Sequence, residues 1–313
     1  MPGSWVAVTG ATGFIGHVLL KSLIGKGWKV KALTRFPQTS DKAVQWIEGD
    51  LDNPDALGHL VKDTFAVIHC AGQVRGSSFQ EFIHTNVTGT RNLVQASLEQ
   101  EPPSRFLFIS SLAARQPELS WYAGSKHMAE KLIGEQLANI PHAVFRPAAV
   151  YGPGDKELSP LFRATRLGIL PMVGRRSMRF GLLHVHDLVA AINCWLSAET
   201  AMQGVYEIDD GMPGGYDGQS VAAIAQEVWQ RPVHCAFFPA PLLSLIANIN
   251  LWSARLLHYS PMLTPGKVRE LQHPDWVCDI RPLTRALPDW QPSIRLQDAL
   301  AQAIQFSEKQ IYP

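Results

Sequence analysis

Val6-Ala7-Val8-Thr9-Gly10-Ala11-Thr12-Gly13-Phe14-Ile15-Gly16 reads as a strand that runs into a tight turn and then a helix. Three glycines spaced three apart follow a short apolar run, and apolar residues at helical spacing (Phe14, Ile15, Val18, Leu19, Leu23) take over at the turn. Glycine admits φ > 0 and lets a ligand approach the main chain, while a helix start offers free N–H groups and the positive end of the dipole. Gly10, Gly13 and Gly16 therefore predict a turn built to grip a nucleotide's phosphates, and their place directly after a strand strengthens the reading.

Outward from that turn, the pattern predicts strands at 28–34, 44–51, 65–70, 105–110 and 143–146, alternating with helices at 53–60, 82–97 and 122–137. Strands alternating with helices imply a parallel sheet covered on both faces. From Asp155 onward prolines multiply and strands become scarce, as in a cap, although a helix at 188–197 and a strand at 205–208 are expected to rejoin the sheet. The predicted division is a dinucleotide-binding domain over 1–154, rejoined by 185–210, and a substrate cap from 155–184 and 211–290. A last helix within 291–313, with Leu296, Leu300 and Ile304 at helical spacing, is expected to pack on the body.

The 313 residues are 46% apolar and carry 28 basic against 27 acidic side chains, a net charge of +1, with no like-charge block to attract nucleic acid. Cys70, Cys194, Cys235 and Cys278 lie far apart, so no zinc site or redox pair is legible. The sequence runs straight into its first strand without an export signal, and a cytoplasmic location is expected. Over 232–254 there is no Lys, Arg, Asp or Glu. Pro239 and Pro241 are expected to break this window and Asn248 and Asn250 to interrupt it, which predicts a buried or interface helix and no membrane span.

Two places carry candidate chemistry. Tyr122-Ala123-Gly124-Ser125-Lys126 sets a phenol and an ammonium at i and i+4 on one helix face, where the positive charge should lower the phenol's pKa toward working pH for proton exchange with a carbonyl or alcohol. Ser110-Ser111 ends the fifth strand at the carboxyl edge of the sheet, where a hydroxyl could hold a substrate carbonyl.

These marks stand in a fixed order with Gly49-Asp50-Leu51, His69-Cys70-Ala71-Gly72, Asn86-Val87-Thr88-Gly89-Thr90, Arg146-Pro147-Ala148-Ala149-Val150-Tyr151-Gly152-Pro153-Gly154 and His184-Val185-His186-Asp187-Leu188. The set resembles the extended short-chain dehydrogenase/reductases, which include nucleotide-sugar epimerases and dehydratases, dihydroflavonol-type reductases and 3β-hydroxysteroid dehydrogenases. The likeness is specific from residue 5 to about 210 and general beyond. It implies an α/β, Rossmann-type doubly wound parallel sheet with a smaller, discontinuous C-terminal substrate cap, and a homodimer. Tyr122 would be the general acid/base, Lys126 would tune it and hold the nicotinamide ribose, and Ser111 would polarise the carbonyl. Gly10, Thr12, Gly13, Phe14, Ile15 and Gly16 would take the pyrophosphate, Asp50 and Leu51 the adenine, and Pro147 and Val150 the carboxamide, with Ala71 and Gly72 lining the cofactor. Asn86 would brace the fourth strand, and His184 and His186 fall in a structural segment, not a metal site.

The end of the second strand decides the cofactor. An acidic residue there would bind the ribose hydroxyl of NAD; this chain has Leu33-Thr34-Arg35-Phe36, and Arg35 predicts NADP, with NAD the alternative. The leading reading is an NADP-dependent oxidoreductase acting on a small, partly apolar carbonyl or alcohol. It rests on the short spacing from Ser111 to Tyr122, on the lack of acidic residues after Ser111, and on the apolar stripe from Leu242 to Leu257. A nucleotide-sugar epimerase is the alternative, with Arg163, Arg166, Arg175, Arg176 and Arg179 set to serve a diphosphate. A non-catalytic dinucleotide sensor is the third reading, although both Tyr122 and Lys126 are present.

Overall fold

The computed structural model describes residues 3–39, 43–100, 102–174 and 176–309, with side chains described through residue 302. Arg175 and the side chain of Ile304 lie outside the described residues. In chain order the first half comprises β1 (Trp5–Thr9), α1 (Phe14–Gly25), β2 (Lys29–Thr34), β3 (Val44–Glu48), α2 (Pro54–Val61), β4 (Ala66–His69), α3 (Phe79–Phe82), α4 (Gly89–Glu99), β5 (Arg105–Ile109), α5 (Trp121–Gln136) and β6 (His142–Pro147). The second half comprises β7 (Ala149–Tyr151), α6 (Ser159–Arg166), β8 (Ile169–Val173), β9 (Arg179–Phe180), β10 (Leu182–His184), α7 (Val185–Ser197), β11 (Gly204–Ile208), α8 (Gly218–Trp229), β12 (His234–Phe238), α9 (Ala240–Leu257), α10 (Pro265–Gln272), β13 (Asp275–Trp276), α11 (Arg281–Ala286) and α12 (Leu296–Lys309).

Seven strands form one parallel sheet in the order β11-β6-β5-β4-β1-β2-β3. The order reverses between β1 and β4, the switch point at which doubly wound folds bind ligands at the carboxyl ends of their strands. The pleat sorts each strand between two cores. Val6, Val8, Ile68, Leu107, Ile109 and Phe145 face the layer of α1 and α7, whereas Ala7, Val67, Phe106, Phe108 and Val144 face that of α2, α4 and α5. A strand buried on both faces needs apolar residues at every position, which is why these segments read as continuous apolar runs.

A third core joins Tyr151, Leu170, Leu182, Tyr216, Val221, Ala225, Leu296 and Leu300. Around it three short parallel pairs, β7 with β10, β8 with β12 and β9 with β13, tie together segments distant in sequence.

Two elements differ from expectation. The helix expected over 82–97 is a composite of α3, a π-helical turn at Ile83–Thr88 and α4, so the chain gains a residue per turn beside the candidate site. The 232–254 window contains strand β12 and then an unbroken α9. Pro241 lies in the first turn of α9, where a missing N–H costs nothing, so it starts the helix and does not break it. Nor is α9 a buried helix: of its 18 residues only Ala247, Leu251 and Ala254 are buried. It is the one helix among the described residues long and apolar enough to cross a membrane by length and composition, and it packs against α10.

Candidate active site

The first turn after β1 is pressed against two neighbours. Gly10 has φ +71°, and a Cβ there would lie 2.6 Å from the Ala71 nitrogen; a Cβ on Gly16 would lie 2.0 Å from the Gly10 carbonyl oxygen. Gly13 differs, since it is exposed and its Cβ would meet only the Gly10 oxygen, at 3.2 Å. It is also the N-cap of α1, which has no side-chain cap and no acidic residue in its first turn. The helices α2, α5, α8 and α10 are capped by Asn53, Ser120, Asp217 and Thr264. The N–H groups at the start of α1 thus have no side-chain partner and face an open glycine, an arrangement that fits an anionic diphosphate.

At the far end of this cleft, Arg35 and Phe36 are exposed after β2, the guanidinium 6.0 Å from the ring, and the Thr34 hydroxyl donates to the Phe36 carbonyl at 2.7 Å. Asp50 is at the surface and accepts the Asp52 N–H at 2.9 Å. Leu51 turns inward, close against Gly89, and its carbonyl accepts from Asn92 at 2.8 Å, so its side chain serves the packing of α4.

At the end of β5 the two serines separate. The Ser110 hydroxyl donates to buried Glu130 at 2.5 Å, and Glu130 is held by Arg146 at 2.5 Å. Ser111 caps the 3₁₀ turn Leu112–Arg115, accepting the Ala113 N–H at 3.2 Å, and its hydroxyl lies near enough to the Tyr122 phenol to favour the ionised form. Tyr122 occupies the first turn of α5, whose cap Ser120 accepts the Ala123 N–H at 3.0 Å. Ser120 in turn donates to Glu270 of α10, which carries a further bridge from Lys267 at 2.8 Å. The cap thereby rests on the start of the helix that bears Tyr122.

The electrostatics depart from the expectation drawn from Tyr122 and Lys126 alone. Burial pushes the Tyr122 phenol up to about 12; the neighbouring Ser111 hydroxyl works against that rise and the charge of Glu270 adds to it. Lys126 does not reverse this, because its ammonium donates to the Ile109 carbonyl at 2.9 Å and sits 4.5 Å from the Phe108 ring centre. Burial draws Lys126 down to about 8. A Cβ on Gly72 would come within 3.0 Å of the Lys126 Nζ, so Ala71 and Gly72 run directly past the ammonium. Pro147 is buried at the end of β6, and Val150 is partly buried in β7.

Two supports were not assigned these contacts from sequence. Asn86, in the π-helical turn, accepts the Gln73 N–H at 2.7 Å and donates to the Gln73 carbonyl at 3.0 Å and to Ser125 at 2.9 Å, locking the loop after β4 to α5. His69 is buried between Thr9, at 2.6 Å, and Thr90, at 2.8 Å, and burial lowers its pKa to about 3. Asn86 stands out in its motif; Glu270, in the cap, has no sequence signal.

A parallel doubly wound sheet with a glycine cradle at its switch point and a serine, a tyrosine and a lysine at the same edge defines a class of dinucleotide-dependent enzymes. The model of the NAD dependent epimerase/dehydratase family matches residues 6–208, and the chain belongs to that family. It is an NAD(P)-dependent oxidoreductase of the extended short-chain dehydrogenase/reductase type. It is 34% identical over 289 residues to a ceramide reductase of Caulobacter vibrioides, covering 90% of this chain and 89% of that one. It is 26% identical over 327 residues to a 2-alkyl-3-oxoalkanoate reductase of Stenotrophomonas maltophilia, covering 94% and 97%. In fold it is similar to MoeE5 in complex with UDP-glucuronic acid and NAD, with a TM-score of 0.76 at 24% identity over 98% of this chain and 100% of that one.

Proposed function

We propose that this protein is an NADP-dependent reductase that converts a carbonyl on a long-chain, lipid-like substrate to an alcohol. The observation that carries the reading is the convergence of Ser111, Tyr122 and Lys126 at one sheet edge, with the hydroxyl of Ser111 near the phenol and the ammonium of Lys126 beside Gly72 and on the Ile109 carbonyl. The dinucleotide, when bound, supplies or accepts the hydride. Gly10, Gly13 and Gly16 and the uncapped start of α1 would hold its diphosphate, and Arg35, just after a β2 that carries no acidic residue, would meet the 2′-phosphate. Ser111 orients the carbonyl oxygen. Tyr122, a neutral phenol across the physiological range, gives that oxygen its proton. Lys126, its pKa drawn down by burial, is held on the Ile109 carbonyl, from where it would reach the ribose of a bound dinucleotide.

The substrate class rests on two relatives whose names specify a ceramide and a 2-alkyl-3-oxoalkanoate. The cap supports it as well. Arg179 pairs with Asp217 at 3.2 Å, Arg163 donates to Ser159 at 2.8 Å, and Arg166 and Arg176 lie over Trp229 and Phe237. Arginines engaged within the cap are poorly placed to clamp a sugar nucleotide's diphosphate.

Purified protein should oxidise NADPH in the presence of long-chain ketones and leave nucleotide sugars unchanged. Tyr122→Phe should lower turnover by about 10²–10⁴-fold with dinucleotide affinity retained, the range of general acid catalysis. Arg35→Ala should weaken NADPH about tenfold or more and leave NADH unaffected, as expected for loss of a charge-assisted contact. Epimerised sugar without net NADPH consumption would overturn the reading.

A further inference from the structure

We propose that the outer face of α9 docks the protein on an anionic lipid bilayer, lying along its surface without crossing it. Leu242, Leu245, Ile246, Ile249, Trp252 and Leu256 recur at helical spacing and are 44–67% exposed. At 100° per residue they form one stripe, opposite the buried Ala247, Leu251 and Ala254. Solvated proteins rarely leave such a continuous apolar face bare.

The charge around the stripe selects the occupant. From Arg231 to Arg269 there is no Asp or Glu, and Glu270 beyond it pairs with Lys267; Arg231, Arg255 and Arg269 donate to backbone carbonyls and keep their charge, with His234 and His258 in the same stretch. A second copy would bring the same cations against their like. Anionic headgroups complement them, each cation near the surface contributing attraction and the apolar stripe entering the acyl boundary. Trp252, 67% exposed, and Tyr259, 40% exposed, are the residue types that settle at that boundary.

The stripe is also continuous with the candidate site. Arg255 donates to the Ser77 carbonyl at 3.1 Å, in the loop after β4 that Asn86 fixes beside α5. The same loop region exposes Val74 and Phe79. Docking through α9 therefore sets the mouth of the cleft against the bilayer, where a lipid-like substrate resides. Only this last step rests on the reading under Proposed function; binding itself does not.

Co-sedimentation of the full chain with phosphatidylcholine vesicles containing phosphatidylglycerol tests the proposal. The protein should pellet with these vesicles, at least tenfold less with pure phosphatidylcholine, and at least tenfold less after Leu245→Glu with Ile249→Glu. That double variant should retain NADPH turnover on a short, soluble ketone, so loss of turnover in the parent tests the reductase reading separately from docking. Trp252→Phe, which preserves the apolar face, should still pellet but lose quenching by brominated lipid. Absence of pelleting, equal binding to neutral vesicles, or a dimer in solution that the double variant abolishes would overturn the proposal, the last by making the face a contact between copies.

Discussion

Ser110 and Ser111 share a side chain and a strand end, yet their neighbours give them different work. Ser110 is buried and committed to Glu130, which Arg146 also holds, so its hydroxyl is unavailable to a ligand. Ser111 is one residue further on, and the pleat turns it toward Tyr122. Ser110→Ala should therefore cost stability, on the order of 1–3 kcal/mol for a buried carboxylate that loses a donor, with turnover of the folded fraction intact. Ser111→Ala should leave the melting temperature within a few degrees and cut turnover. Denaturant titration beside steady-state rates separates the two; equal loss of turnover in both variants would contradict the assignment. Sequence alone marked the pair but could not divide it, because Glu130 lies 20 residues away and meets Ser110 only in the fold.

Among the elements, the β1–α1 unit was legible because local chemistry dictates it. Its strand, glycines and helix are contiguous, and the physical reason for each glycine can be checked in place. Gly16 is closed on by the Gly10 carbonyl at 2.0 Å, whereas a Cβ on Gly13 would meet only that same oxygen, at 3.2 Å, which a small shift of the turn can relieve. Gly16→Ala should therefore shift α1 off β1 and lower the melting temperature by many degrees. Gly13→Ala should keep the fold and lose dinucleotide affinity, because its methyl group would project where the diphosphate lies. Thermal melts with and without NADPH test this: a stabilising shift on NADPH addition should vanish in Gly13→Ala. By contrast, the break expected in the 232–254 window does not occur, because Pro241 stands in the first turn of α9, where proline starts a helix. The π-helical turn around Asn86 was illegible, since a single wide turn inside a helix has no residue type of its own to announce it. Glu270 could not be found at all, its role arising only when α10 meets Ser120.

Across the whole molecule, the polar groups that hold the sheet and cap together make stability depend on pH in a definite direction. His69 joins β4 to Thr9 and Thr90, and His184 caps α7 beside Tyr151; burial lowers their pKa values to about 3 and about 4. An unfolded histidine titrates near 6.5, so between that pH and the folded values the unfolded chain binds more protons. Stability contributed by the neutral rings is thus complete above about pH 6.5 and is lost as pH falls toward 4 and 3. Each histidine adds a slope of up to about 1.4 kcal/mol per pH unit. Asp209 and Asp210 act oppositely: burial raises their pKa values, so the folded state takes up their protons first and gains stability on acidification. The net loss on acidification should therefore be smaller than the two histidines alone would give. Urea midpoints measured from pH 7.5 to 4.5 should fall along this curve. His69→Gln, which keeps a polar group between the two threonines but cannot take a proton, should flatten the slope between pH 6 and 5 by about one proton's worth. An unchanged slope in that variant would show that His69 is protonated in the folded protein.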